Sequence, residues 1–575
     1  MQAGKLPAAW KEARAALKRW PNDARLNFVT GLVCLARSKK LDAQSYFTKS
    51  IKLGSNIAAP YINLALLKLE ARQHDVALKL LHKAATLFPQ EAEVHSTLAH
   101  ASRSAALMPH ALTHIDTALS LAPAKPDYLY LKALTQRDLG DLPSAIATLT
   151  TLLSHSPDDI KALGLISYLY AFTNQPDQAM QAAQHAANIA PLDTDALENL
   201  AWRHIELGQT DAARALFETM NAASPHTPDT LRMLARLADL ATLPTLAQQI
   251  TTSQKQTKSP LAQGQLSLAS ATIAQRLDET ASADQHLLAA NQKLAIARPH
   301  DMQADQAHLD HVLSAYQTFS TAPRDAFTPL QQTPIFVLGM PRSGTTLLER
   351  LISTHPDVAA LGEVAVTGRA FYNAQHADQS AGQATDQTDP APLLDALTAL
   401  HTAYPRYQAL VAQHHPHQPA FTIDKMPANY QYIGYLNHIF PACRIILITR
   451  NAKDTALSLF ETYFDGAAQN YTFSETGIQQ KRAQYDQAIA YWAAQNADFL
   501  TVSYEDLVTQ PQDTLTKICT FCDLGFDAVM LHPDQNNGSI RTASHQQARA
   551  TLNANSIDRW KNHATLLPEI FGTPD

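Results

Sequence analysis

In the first half of the chain, apolar and small positions recur at helical spacing within a longer period of 34 residues. One column of that period reads Ala43, Ala77, Ala111, Ala145, Ala179, Ala213 and Ala247, and a second reads Gly31, Ala65, Ala99, Ala133, Ser167, Ala201 and Ala235. A third holds Pro21, Pro89, Pro123, Pro157, Pro191 and Pro225, with Ser55 in the one missing place. Small side chains let two helices approach closely, and proline stops one unit before the next begins. The pattern predicts one antiparallel helix pair per repeat. Ala9 shares the alanine register, so the chain opens on the second helix of a repeat. Ala271, Ala283 and Ala290 mark a last pair after the register slips by two.

From residue 334 the pattern changes. Runs apolar on both faces, IFVLG (335–339), FTI (421–423), RIILIT (444–449) and FLTVS (499–503), alternate with helical stretches. They predict buried strands of a parallel sheet covered by helices, with helices after the first and third. The segment before this change holds one more helical pattern, HLDHVLSAYQTF, and then TAPRDAFTPLQQTP, rich in Pro, Thr and Gln. Three parts are expected: an all-α array over 1–295, a helical linker over 296–333 and an α/β domain over 334–575. Within the last, residues 372–420 carry few large apolar groups and read as a loop followed by a helix.

Composition narrows the partners. A formal net charge of -7 and a pI near 6.4 give no global basic field for nucleic acid or an anionic membrane, so any anion site must be local. The start, MQAGKLPAAWKEARAALKRW, is amphipathic, and no run reaches the ~20 apolar residues of a membrane span, which predicts a cytoplasmic protein. Four cysteines cannot build a disulfide framework in so long a chain. Cys519 and Cys522 lie in a helical segment with no second Cys/His pair, which predicts core packing rather than redox or metal chemistry. His414, His415 and His417 have no acidic or cysteine partner at ligand spacing and read as a solvated turn, so no metal site is expected.

In a parallel sheet, ligands sit at the carboxyl ends of the strands. The first strand runs into GMPRSGTTLLERLI, whose glycines permit a tight turn and whose amides from Arg342 to Thr346, at a helix start, suit an anion. Thr345 and Thr346 stand where a nucleoside-triphosphate loop has Lys and then Ser or Thr, so the point charge applied to β and γ phosphates is missing. A terminal sulfuryl group carries less negative charge than a phosphoryl, and a phosphosulfate suits this loop without magnesium. A magnesium-dependent kinase, with Asp424 as a strand-end metal ligand, is the phosphoryl-transferring alternative. Lys425 follows the second run and Arg450 the third, so Arg342, Lys425 and Arg450 fall at three strand ends. Ser458 lies one or two turns into the next helix, on a face that can return to Arg450.

The first half resembles the tetratricopeptide repeat. The second, through GMPRSGTTLLERLISTHPDV, DKMPANY, RIILITRNAKDTALS, SYEDLV and IRTAS followed by DRWKNH, resembles sulfotransferases that use 3′-phosphoadenosine 5′-phosphosulfate. The ordered set is similar to bacterial proteins that fuse such repeats to a domain like the tyrosylprotein sulfotransferases. The resemblance implies a repeat superhelix with a concave groove, followed by a P-loop-like sulfotransferase domain. It implies that Arg342, Ser343, Gly344, Thr345 and Thr346 hold the 5′-phosphosulfate, and that Arg450 and Ser458 bind the 3′-phosphate. Tyr504 matches a residue lining the nucleotide site, Arg559 a basic residue near the donor, and either Thr542 or Ser544 a hydroxyl on the phosphosulfate. Glu363, eight residues after His355, matches the glutamate that takes the acceptor's proton. Lys425 matches the lysine that neutralises the bridging oxygen as the leaving phosphate departs. Ala365 and Thr462 stand where the animal enzymes carry basic residues, which leaves tyrosine as one acceptor among several.

The acceptor hydroxyl is thus open between a peptide or protein tyrosine, a saccharide and a small molecule, with the repeat groove suited to a peptide or protein. A homodimer is compatible with the sequence. The rival from another class is a repeat-based protein-binding adaptor whose second domain binds nucleotide without catalysis.

Overall fold

The computed structural model of the chain describes residues 6–105, 107–324, 327–376, 391–412, 415, 417–533 and 552–572. Its contacts form two compact units, one built on Met1–Pro157 and the other on Asp158–Phe371 with Asp386–Asp575. In the first, α1 (Leu6–Arg19) precedes α2 (Ala24–Ala36) paired with α3 (Lys40–Lys52), α4 (Ala59–Glu70) with α5 (His74–Leu87), α6 (Ala92–Ser104) with α7 (Met108–Leu121), and α8 (Pro126–Leu139) with α9 (Leu142–His155). The second opens with α10 (Ile160–Phe172) on α11 (Pro176–Ile189), α12 (Thr194–Glu206) on α13 (Thr210–Ala223), α14 (Pro228–Leu237) on α15 (Leu243–Gln256) and α16 (Pro260–Arg276) on α17 (Thr280–Ala297). The single helix α18 (Met302–Phe319) follows.

The small-residue columns lie where paired helices touch. Ala43, Ala77, Ala111, Ala145 and Ala213 are fully buried, as are Ala65, Ala99, Ala133, Ser167 and Ala201. Gly31 gives the reason at one crossing, since a Cβ there would stand 2.5 Å from the Phe47 ring. The prolines fall between pairs, Pro89 between α5 and α6 and Pro191 between α11 and α12. Ala247 is only partly buried, in the last pair before the register slips.

Beyond α18 the chain runs through β1 (Thr333–Gly339), α19 (Thr345–Ile352), β2 (Val358–Gly362), α20 (Val366–His376), α21 (Ala391–Ala412), β3 (Phe421–Asp424) and α22 (Ile433–Ile439). Then come β4 (Arg444–Thr449), α23 (Ala452–Glu461), α24 (Glu475–Ala494), β5 (Leu500–Ser503), α25 (Tyr504–Thr509) and α26 (Pro511–Cys522). The strands form one sheet in the order β2-β3-β1-β4-β5, and every pairing is parallel. Ile335, Val337, Ile423, Ile446, Ile448 and Val502 pack with Leu348, Leu351, Leu515 and Ile518 in one buried cluster, which is why the strands read as apolar runs. The edge strand β2 is one that the hydrophobic pattern did not predict.

The last array helices and the α/β part share the second unit, and the expected linker, 296–333, lies inside it. Tyr316 of α18 meets Tyr435 of α22 and Trp492 of α24 edge-on, each with ring centroids 4.9 Å apart. From α17, the buried Asn291 side chain donates to the Phe460 carbonyl at 2.9 Å, and Arg298 donates to the carbonyls of Phe464 and Asp465. Among the described residues no helix is long and apolar enough to cross a membrane.

Candidate active site

Parallel pairing throughout brings the carboxyl ends of all five strands to one edge, and the residues that follow them line up in sheet order. Glu363 comes after β2, Lys425 after β3, the loop from Met340 to Gly344 after β1, Arg450 after β4 and Tyr504 after β5. The loop turns at Gly339 (φ +155), where a Cβ would stand 2.5 Å from the Ile448 carbonyl oxygen, and at Gly344 (φ +105), where it would stand 2.5 Å from Tyr504 Cδ2. Arg342 between them also takes a positive φ of 71°, a conformation that non-glycine residues adopt at some cost. Ser343, Thr345 and Thr346 are buried, and the Ser343 hydroxyl has no hydrogen-bond partner among the described residues.

The arginines tie this loop to the next crossover. Arg342 Nε donates to Ser458 Oγ at 2.9 Å. Burial, and Arg450 after it, hold the Arg342 guanidinium down to about 10, still charged at neutral pH. Arg450 donates to the carbonyls of Arg342 (3.2 Å) and Ser556 (2.6 Å) and lies over the Tyr504 ring, 4.7 Å from its centroid. Its Nε is buried without a partner among the described residues. The α23 N-terminus is capped by the Asn451 side chain. Asp454, in its first turn, accepts the backbone N–H groups of Asp558 and Trp560. That pins the C-terminal segment to α23, where Arg559 forms an ion pair with Glu461.

Glu363 and Lys425 meet at the β2–β3 end of the same edge. The Lys425 amide donates to the Gly362 carbonyl at 2.9 Å, and its ammonium forms an ion pair with the Glu363 carboxylate. Glu349 of α19 lies 3.9 Å from the same nitrogen. Lys425 is fully buried, whereas 40% of the Glu363 side chain is exposed.

Asp424 beneath them is fully buried. Burial pushes its carboxyl up to about 8, against the pull of a Val364 backbone hydrogen bond, Tyr404 and Lys425, while Glu349 adds to the rise. A folded-state pKa above the unfolded value of about 3.9 favours the protonated native form. The resulting stability is fully present below about pH 4 and is lost as pH rises through about 8. Urea midpoints are therefore expected to fall between pH 6 and pH 9 in the parent protein and to fall less in Asp424→Asn. Parallel profiles would show that Asp424 does not carry the dependence.

Thr542, Ser544 and His414 lie outside the described residues. Cys519 and Cys522 are buried in α26, where burial pushes their thiols up to about 11 and about 12, too high for a reactive thiolate. Glu349, Asp454 and Glu505, which accepts the Asn451 amide at 2.9 Å, were not singled out from the sequence. All three lie in segments quoted there, but nothing in the spacing said that they brace other site residues.

Residues 334–528 match the profile described as the sulfotransferase family, and residues 1–56 match a tetratricopeptide repeat. The chain joins a sulfotransferase-family domain to tetratricopeptide repeats. An uncharacterized protein of Aquifex aeolicus is 26% identical over 241 residues, 41% of this chain and 32% of that protein. Protein-tyrosine sulfotransferase 1 of Danio rerio is 24% identical over 39% of this chain and 65% of its own length. Protein-tyrosine sulfotransferase 2 of Gallus gallus is likewise 24% identical, over 40% and 63%. The chain thus spans less than two thirds of these relatives. Among solved structures, the Cut9–Hcn1 hetero-tetramer of the APC/C aligns with a TM-score of 0.36 at 17% identity, over 41% of this chain and 47% of that one. The sulfotransferase domain holds the strand edge described above, and the repeats precede it.

Proposed function

We propose that the protein transfers a sulfuryl group from 3′-phosphoadenosine 5′-phosphosulfate to an acceptor hydroxyl. The observation that carries this reading is the pairing of a half-exposed carboxylate, Glu363, with a buried ammonium, Lys425, beside a lysine-free anion loop on one strand edge. The residues suit the donor. The orphaned Ser343 hydroxyl and Arg450 Nε are buried polar atoms that a ligand's oxygens would satisfy, and glycine at 344 lets the Tyr504 ring close on the loop, where a Cβ would stand 2.5 Å from it.

When bound, the donor supplies a sulfur already activated by a phosphate leaving group. Glu363 removes the acceptor's proton as the hydroxyl oxygen bonds to sulfur, an effect typically worth about 10² to 10⁴ in rate. Lys425 turns from Glu363 to the bridging oxygen as its bond to sulfur breaks, and stabilises the charge that develops there. The amides of the loop from Arg342 to Thr346 hold the equatorial oxygens, and Arg450 with Ser458 takes the 3′-phosphate. The acceptor is a peptide or protein hydroxyl presented by the repeats. Protein tyrosine is one candidate, through the relatives' names, although Ala365 replaces a basic residue of the animal enzymes.

The test pairs calorimetry of the 3′,5′-bisphosphate product with transfer of labelled sulfate to peptide, saccharide and small-molecule acceptors. Arg450→Ala is expected to weaken bisphosphate binding by about 1.5 to 3 kcal/mol, the range of a charge-assisted hydrogen bond. Unchanged affinity would remove the 3′-phosphate assignment. Binding without transfer to any acceptor would favour the adaptor.

A further inference from the structure

A cavity of about 510 Å³ lies within the second unit, lined by Arg232 and Arg236 of α14, Arg276 of α16, Arg342 of the anion loop, Arg559 and, as its one carboxylate among the described residues, Glu461. Five guanidinium groups against one acid is an unusual balance in a chain of net charge -7. Converging like charges in a partly desolvated site raise its energy unless an anion joins them.

Four of the five are already engaged. Arg232 pairs with Asp229 at 3.1 Å and lies over the Tyr463 ring. Arg276 caps the end of α14 by donating to the carbonyls of Ala235 and Ala238. Arg342 donates to Ser458, and Arg559 is paired with Glu461, which also accepts from Gln275 at 2.9 Å. Arg236 differs. Among the described residues it has no hydrogen-bond or ion-pair partner, and the charges that act on it and on which it acts are arginines, Arg232 and Arg342. Burial, then Arg232, hold its guanidinium down to about 10, so it remains a cation at neutral pH.

We propose that Arg236, a residue of the repeat array, binds the 3′-phosphate of the sulfuryl donor, so that the donor pocket is shared between the repeats and the sulfotransferase domain. The proposal rests on the donor reading given above. Two contacts connect the cavity with that phosphate. Arg342, on its wall, is bonded to Ser458, and the Arg342 carbonyl accepts from Arg450, the pair assigned to the 3′-phosphate. A phosphomonoester dianion offers three terminal oxygens and nearly two charges, which matches a set of guanidinium forks better than a single carboxylate does. The repeats then act on donor affinity itself, in addition to any role in holding an acceptor.

The full chain is titrated calorimetrically with adenosine 3′,5′-bisphosphate and with adenosine 5′-monophosphate, which lacks the 3′-phosphate. Arg236→Gln is expected to weaken the bisphosphate roughly 10- to 100-fold and to leave the monophosphate unchanged, while Arg236→Lys retains most of the affinity. Without nucleotide, the unfolding midpoint of neither variant should fall below the parent's, since Arg236 has no partner to lose among the described residues and Arg236→Gln relieves repulsion from Arg232 and Arg342. Equal bisphosphate affinity in Arg236→Gln, or equal losses for both nucleotides, overturns the proposal while the donor reading stands. This includes the case in which only the acceptor's KM rises, which would assign the cavity to an acidic acceptor segment. If the parent protein does not bind the bisphosphate, the donor reading fails and this proposal falls with it.

Discussion

Replacing Glu363 by glutamine is expected to lower turnover by about two to four orders of magnitude, the usual worth of a positioned general base, with bisphosphate affinity close to that of the parent. The expectation follows from where the side chain sits. Glu363 leaves β2 at the strand edge, its side chain is 40% exposed, and its one ion pair among the described residues is with Lys425, so it can exchange that partner for a substrate proton. Glutamine keeps the shape and can still accept a hydrogen bond, but it cannot take a proton from a hydroxyl. Single-turnover measurement of labelled sulfate transfer separates this from slow product release. A variant that transfers at the parental rate would return Glu363 to the role of a surface carboxylate that merely neutralises Lys425. A variant that also loses the bisphosphate would mean that the pair shapes the donor pocket, and the base would have to be sought elsewhere.

The parts that could be read from the sequence are those where one physical demand repeats. Helix pairs need a small residue at each crossing, so Ala43, Ala77, Ala111 and their equivalents form a column visible without a structure. Strands buried on both faces need continuous apolar runs, and β1, β3, β4 and β5 were found that way. The strand β2 was not, because VAALG offers two alanines and a glycine where a central strand would carry larger side chains. Its conformation comes from pairing with β3, with Val358 beside Phe421 and Ala359 beside Thr422, which is tertiary information.

The candidate site divides in the same way. Residues directly past a strand, such as Lys425 and Arg450, are marked by the run before them. Side chains that reach the site across the fold carry no such mark. Arg236 and Arg276 lie outside the small-residue and proline columns of the repeat, and only the packing of α14, α16 and α17 within the second unit brings them to the wall that Arg342 and Arg559 share. Arg559 itself is held by a contact between distant segments, through Asp454 and the amides of Asp558 and Trp560.

Lys425→Met should lower both stability and turnover, and its effect on turnover should not multiply with that of Glu363→Gln. Methionine fills a similar volume, so the fully buried site is not left as a cavity. What is lost is the cation shared by Glu363 and Glu349. Removing one member of a fully buried ion pair typically costs about 3–5 kcal/mol of stability. The expected loss here is smaller, because the exposed face of Glu363 lets water screen its charge. Turnover should fall by roughly 10² to 10³, as when one charge-stabilising donor is removed from a reacting centre. The double variant, Glu363→Gln with Lys425→Met, should be about as slow as the slower single variant, because residues that act as a unit lose their joint contribution only once. Neutralising Glu363 also removes an acid left without its partner, so the double variant should recover part of the stability lost in Lys425→Met. If the two rate losses multiply and no stability returns, the two side chains act independently and their ion pair has no part in the transfer.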